Sequence, residues 1–467
     1  MSGKQEKLYH KLPYPLKVAG LNLKALINYR KRFSKDFHFF LNEYNNLWFE
    51  ELEVIKKYQK EQLKNLLLEC YCYSKWYKTK FDEAGVSKGD IELNPFSVLE
   101  RLPLLQKSER KEFVDEIMNQ NKDRKTEAIG FTSGTSGSPT KDYLDAESIH
   151  RSFALWKRFH TTIGIKETVK QIRFSGRLIV NPKTTKPPFW IYNFFERQLF
   201  MSSYHLKEKN LPDYVKKIKH FKPKLIDGYP SSIYVIAKYI NTNNIRLNFK
   251  PKAIAVTAET LYDYQRLEIE IAFGCQVFNQ YASSEGSPFI TECTSGNLHI
   301  NLDSGFFEFI NMKGSPAKPG EFAQLVVTSF RNLKTPLIRY NIGDTVLLPE
   351  HDSICPCGCK MPLVEKITGR EDDILWTEEK GFVGRMDTAY KGLEGIVKSQ
   401  IIQNTPKDFV INNIVNSKYS QMIEKKLIHN LKERLGDQTN FKINIVEEIP
   451  LGANGKFDAV KRNFKLN

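Results

Sequence analysis

From about residue 222 onward the sequence admits few folds. Lys224-Leu225-Ile226 leads through Asp227-Gly228-Tyr229-Pro230-Ser231-Ser232 into a helical stretch that reaches Ile240. A second apolar run, Ala253-Ile254-Ala255-Val256, ends at Thr257-Ala258-Glu259. A helical stretch over 260–273, stopped by Gly274, then leads to Gln276-Val277-Phe278 and Tyr281-Ala282-Ser283-Ser284-Glu285-Gly286. Short apolar runs alternating with helices predict a parallel sheet covered on both faces. Ligands of such sheets gather beyond the carboxyl ends of the strands, where Thr257–Glu259 and Tyr281–Gly286 fall.

The flanks read differently. Residues 24–120 read mostly as helix: Phe49, Leu52, Ile55, Leu63, Leu66, Leu67 and Cys70 recur near helical spacing with Glu and Lys between them. Cys70 and Cys72, two apart on a helix, point to different sides and are poor co-ligands. Leu102-Pro103-Leu104-Leu105 ends the helical pattern. Residues 305–350 look antiparallel, with Phe306–Ile310, a Pro/Gly turn at 314–320 and a run from Gln324 to Thr328. The last hundred residues predict a strand at Phe409–Val415, an amphipathic helix carrying Tyr419, Met422, Ile423, Leu427 and Leu431, and a strand at Phe441–Val446. The expected fold class is α/β. A large N-terminal domain over 1–371 has parallel-rich sheets flanked by helices and a β-subdomain, and a small mobile α+β lid covers 372–467.

Between the helical region and the sheet lies Phe131-Thr132-Ser133-Gly134-Thr135-Ser136-Gly137-Ser138-Pro139-Thr140. Gly134 and Gly137 let successive N–H groups point to one side, a concave anion site to which the hydroxyls of Thr132, Ser133, Thr135 and Ser136 add donors. It is not the Walker sequence, because no Gly-Lys-Ser/Thr closes it. Read alone, such a run is more often a solvated surface loop.

Lysine and arginine exceed aspartate and glutamate by 70 − 54 = 16. That field suits anionic small molecules, nucleic acid or a membrane surface, or it is a solvated lysine-rich face. No basic block is long or aromatic-interleaved enough to be a nucleic-acid site. Residues 1–23 lack a signal-peptide core, and no run approaches the ~18 apolar residues of a membrane span, so a cytoplasmic protein is expected. The seven cysteines, odd in number and bunched, argue for reduced thiols or metal rather than a disulfide framework.

Five motifs, in order over most of the chain, resemble those of the adenylate-forming superfamily of acyl-CoA synthetases and adenylation domains. The loop at 132–140 is similar to its phosphate loop, Tyr281-Ala282-Ser283-Ser284-Glu285 to Tyr-Gly-x-Thr-Glu, and Tyr340-Asn341-Ile342-Gly343-Asp344 to Tyr-x-Thr-Gly-Asp. Gly369-Arg370-Glu371-Asp372-Asp373 resembles Gly-Arg-x-Asp-Asp, and Gly455-Lys456 the C-terminal Gly-Lys. Pro139-Thr140, Asp227–Ser232 and Glu292-Cys293…Leu298-His299 are closest to the phenylacetate–CoA ligase group and its capsular-polysaccharide-biosynthesis relatives. Ala282 and Asn341-Ile342 depart from the family pattern but leave the charged positions intact.

The resemblance implies a ligase that joins a carboxylic acid to ATP and passes the acyl group to CoA or to an amine, the latter in surface-polysaccharide biosynthesis. It implies roles as well. Thr132 to Gly137 would hold the β- and γ-phosphates, and Glu285 would help bind Mg²⁺. Asp344 would hold the ribose hydroxyls, and Arg370 the ribose and phosphate end. Ala258, Glu259 and the segment from Asn279 through Tyr281 and Ser283 to Ser284 would frame adenine. Lys456 would bridge carboxylate and α-phosphate, and Asp372 would be the hinge of the small domain. Tyr229, Pro230 and Trp190 are candidates for the acyl pocket. Cys293, His299, Cys355 and Cys357, with Cys359 as a substitute, would form a structural zinc site; the other reading is free thiols in a loop. The rival from another class is a nucleotide-binding scaffold protein that has lost turnover.

Overall fold

A computed structural model describes the chain except residues 1–8, 10–11, 132–140, 182, 284–288, 312, 352, 371–374, 380, 384–385, 391–392, 451–457 and 465–467, and gives only the backbone of 131, 369–370, 381–382 and 387–388. The N-terminal third is helical, as expected. Tyr14–Arg32, Lys35–Leu47 and Leu52–Tyr73 are its long helices. Ser34 caps the second by accepting from Phe37 N at 3.3 Å, satisfying one of the orphan donors of the first turn. The third buries Ile55, Leu63, Leu66, Leu67 and Cys70, while Cys72 faces out. Phe49 departs from the helical reading: it is exposed, in the turn between two helices. The Leu102–Leu105 break has a partner, since Leu105 N donates to Arg339 O at 2.9 Å and Leu105 O accepts from Asn341 N at 3.0 Å.

Among the described residues the largest sheet has nine strands. Val277–Ala282, Ala253–Thr257, Leu225–Gly228, Gln171–Ser175 and Gln198–Ser202 lie side by side in that order, all parallel. Helices Leu211–Phe221 and Pro230–Thr242 bury Tyr214, Ile218, Ile233 and Ile236 in the cluster that holds Ile172, Ile226 and Ile254 of these strands. On one side Phe289–Glu292, Leu298–Ile300 and Leu363–Val364 continue the sheet antiparallel, and Trp190–Asn193 closes the other edge. Strands 171–175, 190–193 and 198–202 were not legible as an apolar alternation, because Arg173 interrupts the first and the second is a short edge strand. Gly228 is required where it stands: its φ is +141°, and a Cβ there would lie 2.1 Å from Phe174 O on the neighbouring strand.

A second sheet is antiparallel, in the order Gly305–Ile310, Phe322–Ser329, Tyr340–Leu347 and Lys366–Arg370. It packs on the N-terminal helices, with Leu325, Val327, Leu337 and Tyr340 in one core with Leu63, Leu67 and Phe81. The C-terminal unit has its own core of Leu375, Ile401, Phe409, Ile411, Leu427, Leu431 and Leu435. Helix Gln421–Leu435 accompanies a sheet in the order Asn440–Ile445, Asp408–Val415, Ile396–Gln403 and Val460–Arg462. The sequence had offered two of these strands; Ile396–Gln403, half-buried and interspersed with Lys398, Ser399 and Gln400, lacks a clear apolar pattern.

The glycine-rich loop itself lies outside the described residues, but its frame does not. Ala128–Phe131 pairs antiparallel with Lys141–Leu144, and Phe131 opposite Lys141 closes the hairpin. Buried Arg110 forms an ion pair with buried Asp142 on the second strand. Thr335 Oγ1 accepts from Tyr143 N at 2.9 Å and donates to Tyr143 O at 3.1 Å. Stripping one partner from a buried ion pair leaves an uncompensated charge, at a cost of about 3–5 kcal/mol. Asp142→Ala should therefore lower the unfolding free energy read from denaturant titration by that much, and the Arg110→Met/Asp142→Leu pair by clearly less. A loss below about 1 kcal/mol for the single variant would show that the pair does not anchor the hairpin.

Candidate active site

The carboxyl ends of the parallel strands carry the expected residues. Beyond Ala253–Thr257 the chain turns at Ala258, a non-glycine residue with φ of +70°. Such a conformation is strained for an L-residue and clusters at functional sites. It presents Glu259, whose Oε2 accepts from Ser231 N at 3.1 Å, at the start of helix Pro230–Thr242. A carboxylate there satisfies an orphan N–H and complements the positive helix end. Beside it Tyr229 is hydrogen-bonded to the Gly176 backbone, and burial raises the pKa of its hydroxyl. On the next strand Asn279 N donates to Glu292 Oε2 at 2.8 Å, an oxygen that also accepts from Arg266 Nη2 at 2.8 Å. Burial raises the Glu292 carboxyl, and the Arg266 bond opposes it.

Two of the motifs meet directly. The Tyr281 hydroxyl donates to Asp344 Oδ2, joining the parallel sheet to the antiparallel one. Asp344 follows an irregularity within its strand, where Gly343, with φ of +74°, donates its N–H to Asn341 Oδ1 at 3.1 Å. Across the strands Asp344 lies opposite Arg370 in the backbone register. Thr345 and Thr368 join hydroxyls at 2.7 Å one step further on. Ser283 O accepts from Arg331 Nη2 at 3.1 Å. Arg331, which the sequence gave no reason to single out, is buried 5.1 Å over the Phe289 ring, and burial pushes its pKa down to about 10.

A second missed residue comes from the C-terminal unit. Lys398 is in the field of Glu259 and Glu448; burial lowers its pKa and the two carboxylates oppose that shift. Its strand thus passes near Glu259. Thr132 to Gly137, Ser284, Glu285, Asp372 and Lys456 lie outside the described residues, as does the side chain of Arg370. Trp190 is not brought to this place. It sits on the edge strand, packed on Phe189 and Tyr214, while Pro230 starts the helix after Tyr229.

The cysteine motif forms a separate constellation at the antiparallel end of the large sheet. The ligand atoms of Cys293, His299, Cys355 and Cys357 all lie within 4.8 Å of one another. Cys293 Sγ is 3.5 Å from Cys355 Sγ, and Cys357 Sγ is 3.4 Å from His299 Nε2. Tetrahedral zinc with Zn–S of about 2.3 Å separates its sulfurs by roughly 3.7 Å, so the group needs little adjustment. His299 Nδ1 lies 2.9 Å from Met361 O. A carbonyl only accepts, so Nδ1 carries the proton and Nε2 offers its lone pair to the cluster. Asn297 Nδ2 donates to Cys355 Sγ at 3.2 Å, and Cys359 N to Cys357 Sγ at 3.4 Å. Cys359, the substitute ligand, lies outside that group: it is buried in the core that Cys293 and Cys355 share with Trp48 and Met361, and burial pushes its thiol up to about 12.

Chemically, the strand ends offer a carboxylate already oriented by a hydroxyl, turned backbone beside a helix start, and a hairpin frame for an anion loop. Comparison with known proteins agrees with that arrangement. A family model for the CapK C-terminal domain matches residues 375–463. Protein CapK of Staphylococcus aureus is 35% identical over 435 residues, covering 91% of this chain and 95% of that protein. Phenylacetate-coenzyme A ligase of Thermus thermophilus is 25% identical over 342 residues, 69% of this chain and 72% of that one. The crystal structure of 2-hydroxyisobutyryl-CoA ligase in the postadenylation state, with R3-HIB-AMP, has the same fold: the TM-score is 0.70 at 16% identity, over 89% of this chain and 91% of that one. The chain belongs to the CapK-like group of the adenylate-forming superfamily.

Proposed function

We propose that the protein is an ATP-dependent, AMP-forming ligase that activates a carboxylic acid as its acyl-adenylate and transfers the acyl group to CoA or to an amine. The observation that carries this reading is the Tyr281–Asp344 hydrogen bond at the strand ends. It orients one oxygen of a carboxylate, the acceptor group that suits a ribose diol.

In the first step a substrate carboxylate oxygen attacks the α-phosphorus of ATP, the bond to the β-phosphate oxygen breaks, and pyrophosphate leaves. An anion must approach a polyanion, so the work is electrostatic. The backbone N–H groups and hydroxyls of Thr132 to Gly137 receive the departing phosphates. Lys456 bridges the carboxylate and α-phosphate, and Arg370 adds donors. Glu285 would hold Mg²⁺, which supplies further neutralisation of phosphate charge when bound. In the second step the thiol or amine attacks the acyl carbon and AMP leaves. Asp372 serves as the hinge about which residues 372–467 turn between steps. A surface-polysaccharide setting goes with an amine acceptor. Among the described residues no helix is long and apolar enough to cross a membrane.

Acid-dependent exchange of pyrophosphate into ATP tests the reading. Over a panel of aryl, fatty, amino and uronic acids, one class should drive exchange, and Lys456→Ala should lower it at least a hundredfold with ATP binding retained. Binding of ATP without exchange for any acid would favour a scaffold that has lost turnover. The Cys293, His299, Cys355 and Cys357 group would hold Zn²⁺ in a structural role. Elemental analysis should find one zinc per chain, lost in Cys293→Ser/Cys355→Ser and kept in Cys359→Ser. Metal-free wild-type protein, purified without chelator, would leave free thiols as the correct description.

A further inference from the structure

A cavity of about 1420 Å³ runs along one face of the large sheet. Its walls are the helices Tyr14–Arg32, Lys35–Leu47 and Ala146–Thr162 and the strand Gln171–Ser175, and it ends near Arg177. Ligand pockets commonly measure about 300–1,000 Å³, so this one exceeds what a small monocarboxylate needs. Its lining carries six lysines and arginines against two glutamates.

Three of these cations are placed with care. Arg32 lies 4.5 Å over the Phe153 ring, Arg173 4.5 Å over Trp156 and Arg177 6.0 Å over Phe200. Aromatic faces hold the guanidinium planes and leave their N–H edges for an anion. Arg32 is bonded to Glu196 at 2.8 Å. Arg173 Nε is 3.6 Å from buried Asp227, too long for a hydrogen bond. Arg177 has no hydrogen bond or ion pair to its guanidinium among the described residues. It is open to the cavity, yet surrounding protein and the nearby charges of Arg173 and Arg32 push its pKa down to about 10. The neighbouring His160 does not add charge. Its Nε2 accepts from Trp156 Nε1 at 2.9 Å, and burial lowers its pKa. Crowded cations with too few carboxylates favour a bound anion.

At Arg177 the cavity passes the carboxyl end of one parallel strand, Gln171–Ser175. Tyr229 stands in the fields of Arg173 and Arg177 on one side and of Glu259 on the other. We propose that this cavity receives the acid substrate and selects acids carrying a second anionic group, a carboxylate or a phosphate, seated on Arg177 and Arg173. The proposal rests on the ligase reading for the fate of the first carboxylate, but not for the binding of the second anion.

Two measurements on the full chain separate these claims. In pyrophosphate exchange, glutarate and 3-phosphoglycerate should exceed valerate at least tenfold in kcat/KM. Arg177→Met should raise KM for the dianionic acids at least tenfold without raising KM for ATP, and Arg177→Lys should recover part of the loss. Equal or better use of valerate, or a preference that survives Arg177→Met, overturns the proposal and leaves the ligase reading intact. Calorimetric titration of 3-phosphoglycerate and glutarate without ATP gives the second answer. Saturable binding of either acid that Arg177→Met abolishes supports the anion seat even if no acid drives exchange. Absence of binding of both by the wild type overturns it.

Discussion

One hydroxyl-to-carboxylate hydrogen bond, Tyr281 to Asp344, sets the geometry on which the rest of the site depends. Tyr281 belongs to a strand of the parallel sheet and Asp344 to a strand of the antiparallel one, and both strands pack on one core. Hydrogen bonds to charged groups contribute about 1.5–3 kcal/mol, enough to favour one approach of the two sheets. Other contacts support the junction. Arg331 reaches Ser283 O from the segment after the antiparallel strand Phe322–Ser329. Arg339 bonds Glu308 at 2.7 Å and Leu102 O at 2.5 Å, tying the base of the Asp344 strand to the end of the N-terminal helices.

Electrostatics gives the junction its purpose. Adenylation brings a carboxylate to a triphosphate, so the fold must gather positive charge and oriented donors without filling the space with fixed anions. The cavity's arginines come from separate segments, and Lys398 of the C-terminal unit stands in the field of Glu259. Part of the net charge of +16 lines a cavity.

Much of this was legible in the sequence where chemistry and periodicity coincide. The alternation of apolar strand and helix over 222–282 works because those strands are buried on both faces, and every element named there has a counterpart. The strand-end turns were legible because Gly228 and the Tyr281 and Asp344 motifs occupy backbone positions with few alternatives. The cysteine cluster was anticipated from its resemblance, and Cys293, His299, Cys355 and Cys357 do lie together. The strand carrying Arg173 was missed because its polar residue faces a cavity instead of a core, which breaks the apolar run. Arg177, Arg331 and Lys398 had no local signal, since only long-range packing makes a single cation distinctive. Trp190 packs on Phe189 and Tyr214 at the sheet edge, and an aromatic residue reads the same in a core and in a binding wall.

The central claim is that a carboxylate oxygen of the acid becomes bonded to the α-phosphorus of ATP. Turnover with acid labelled with ¹⁸O in its carboxylate, followed by mass spectrometry of the nucleotide product, reads that bond directly. The account predicts AMP carrying one ¹⁸O per acid consumed. Unlabelled AMP, or ADP as the product, would contradict it.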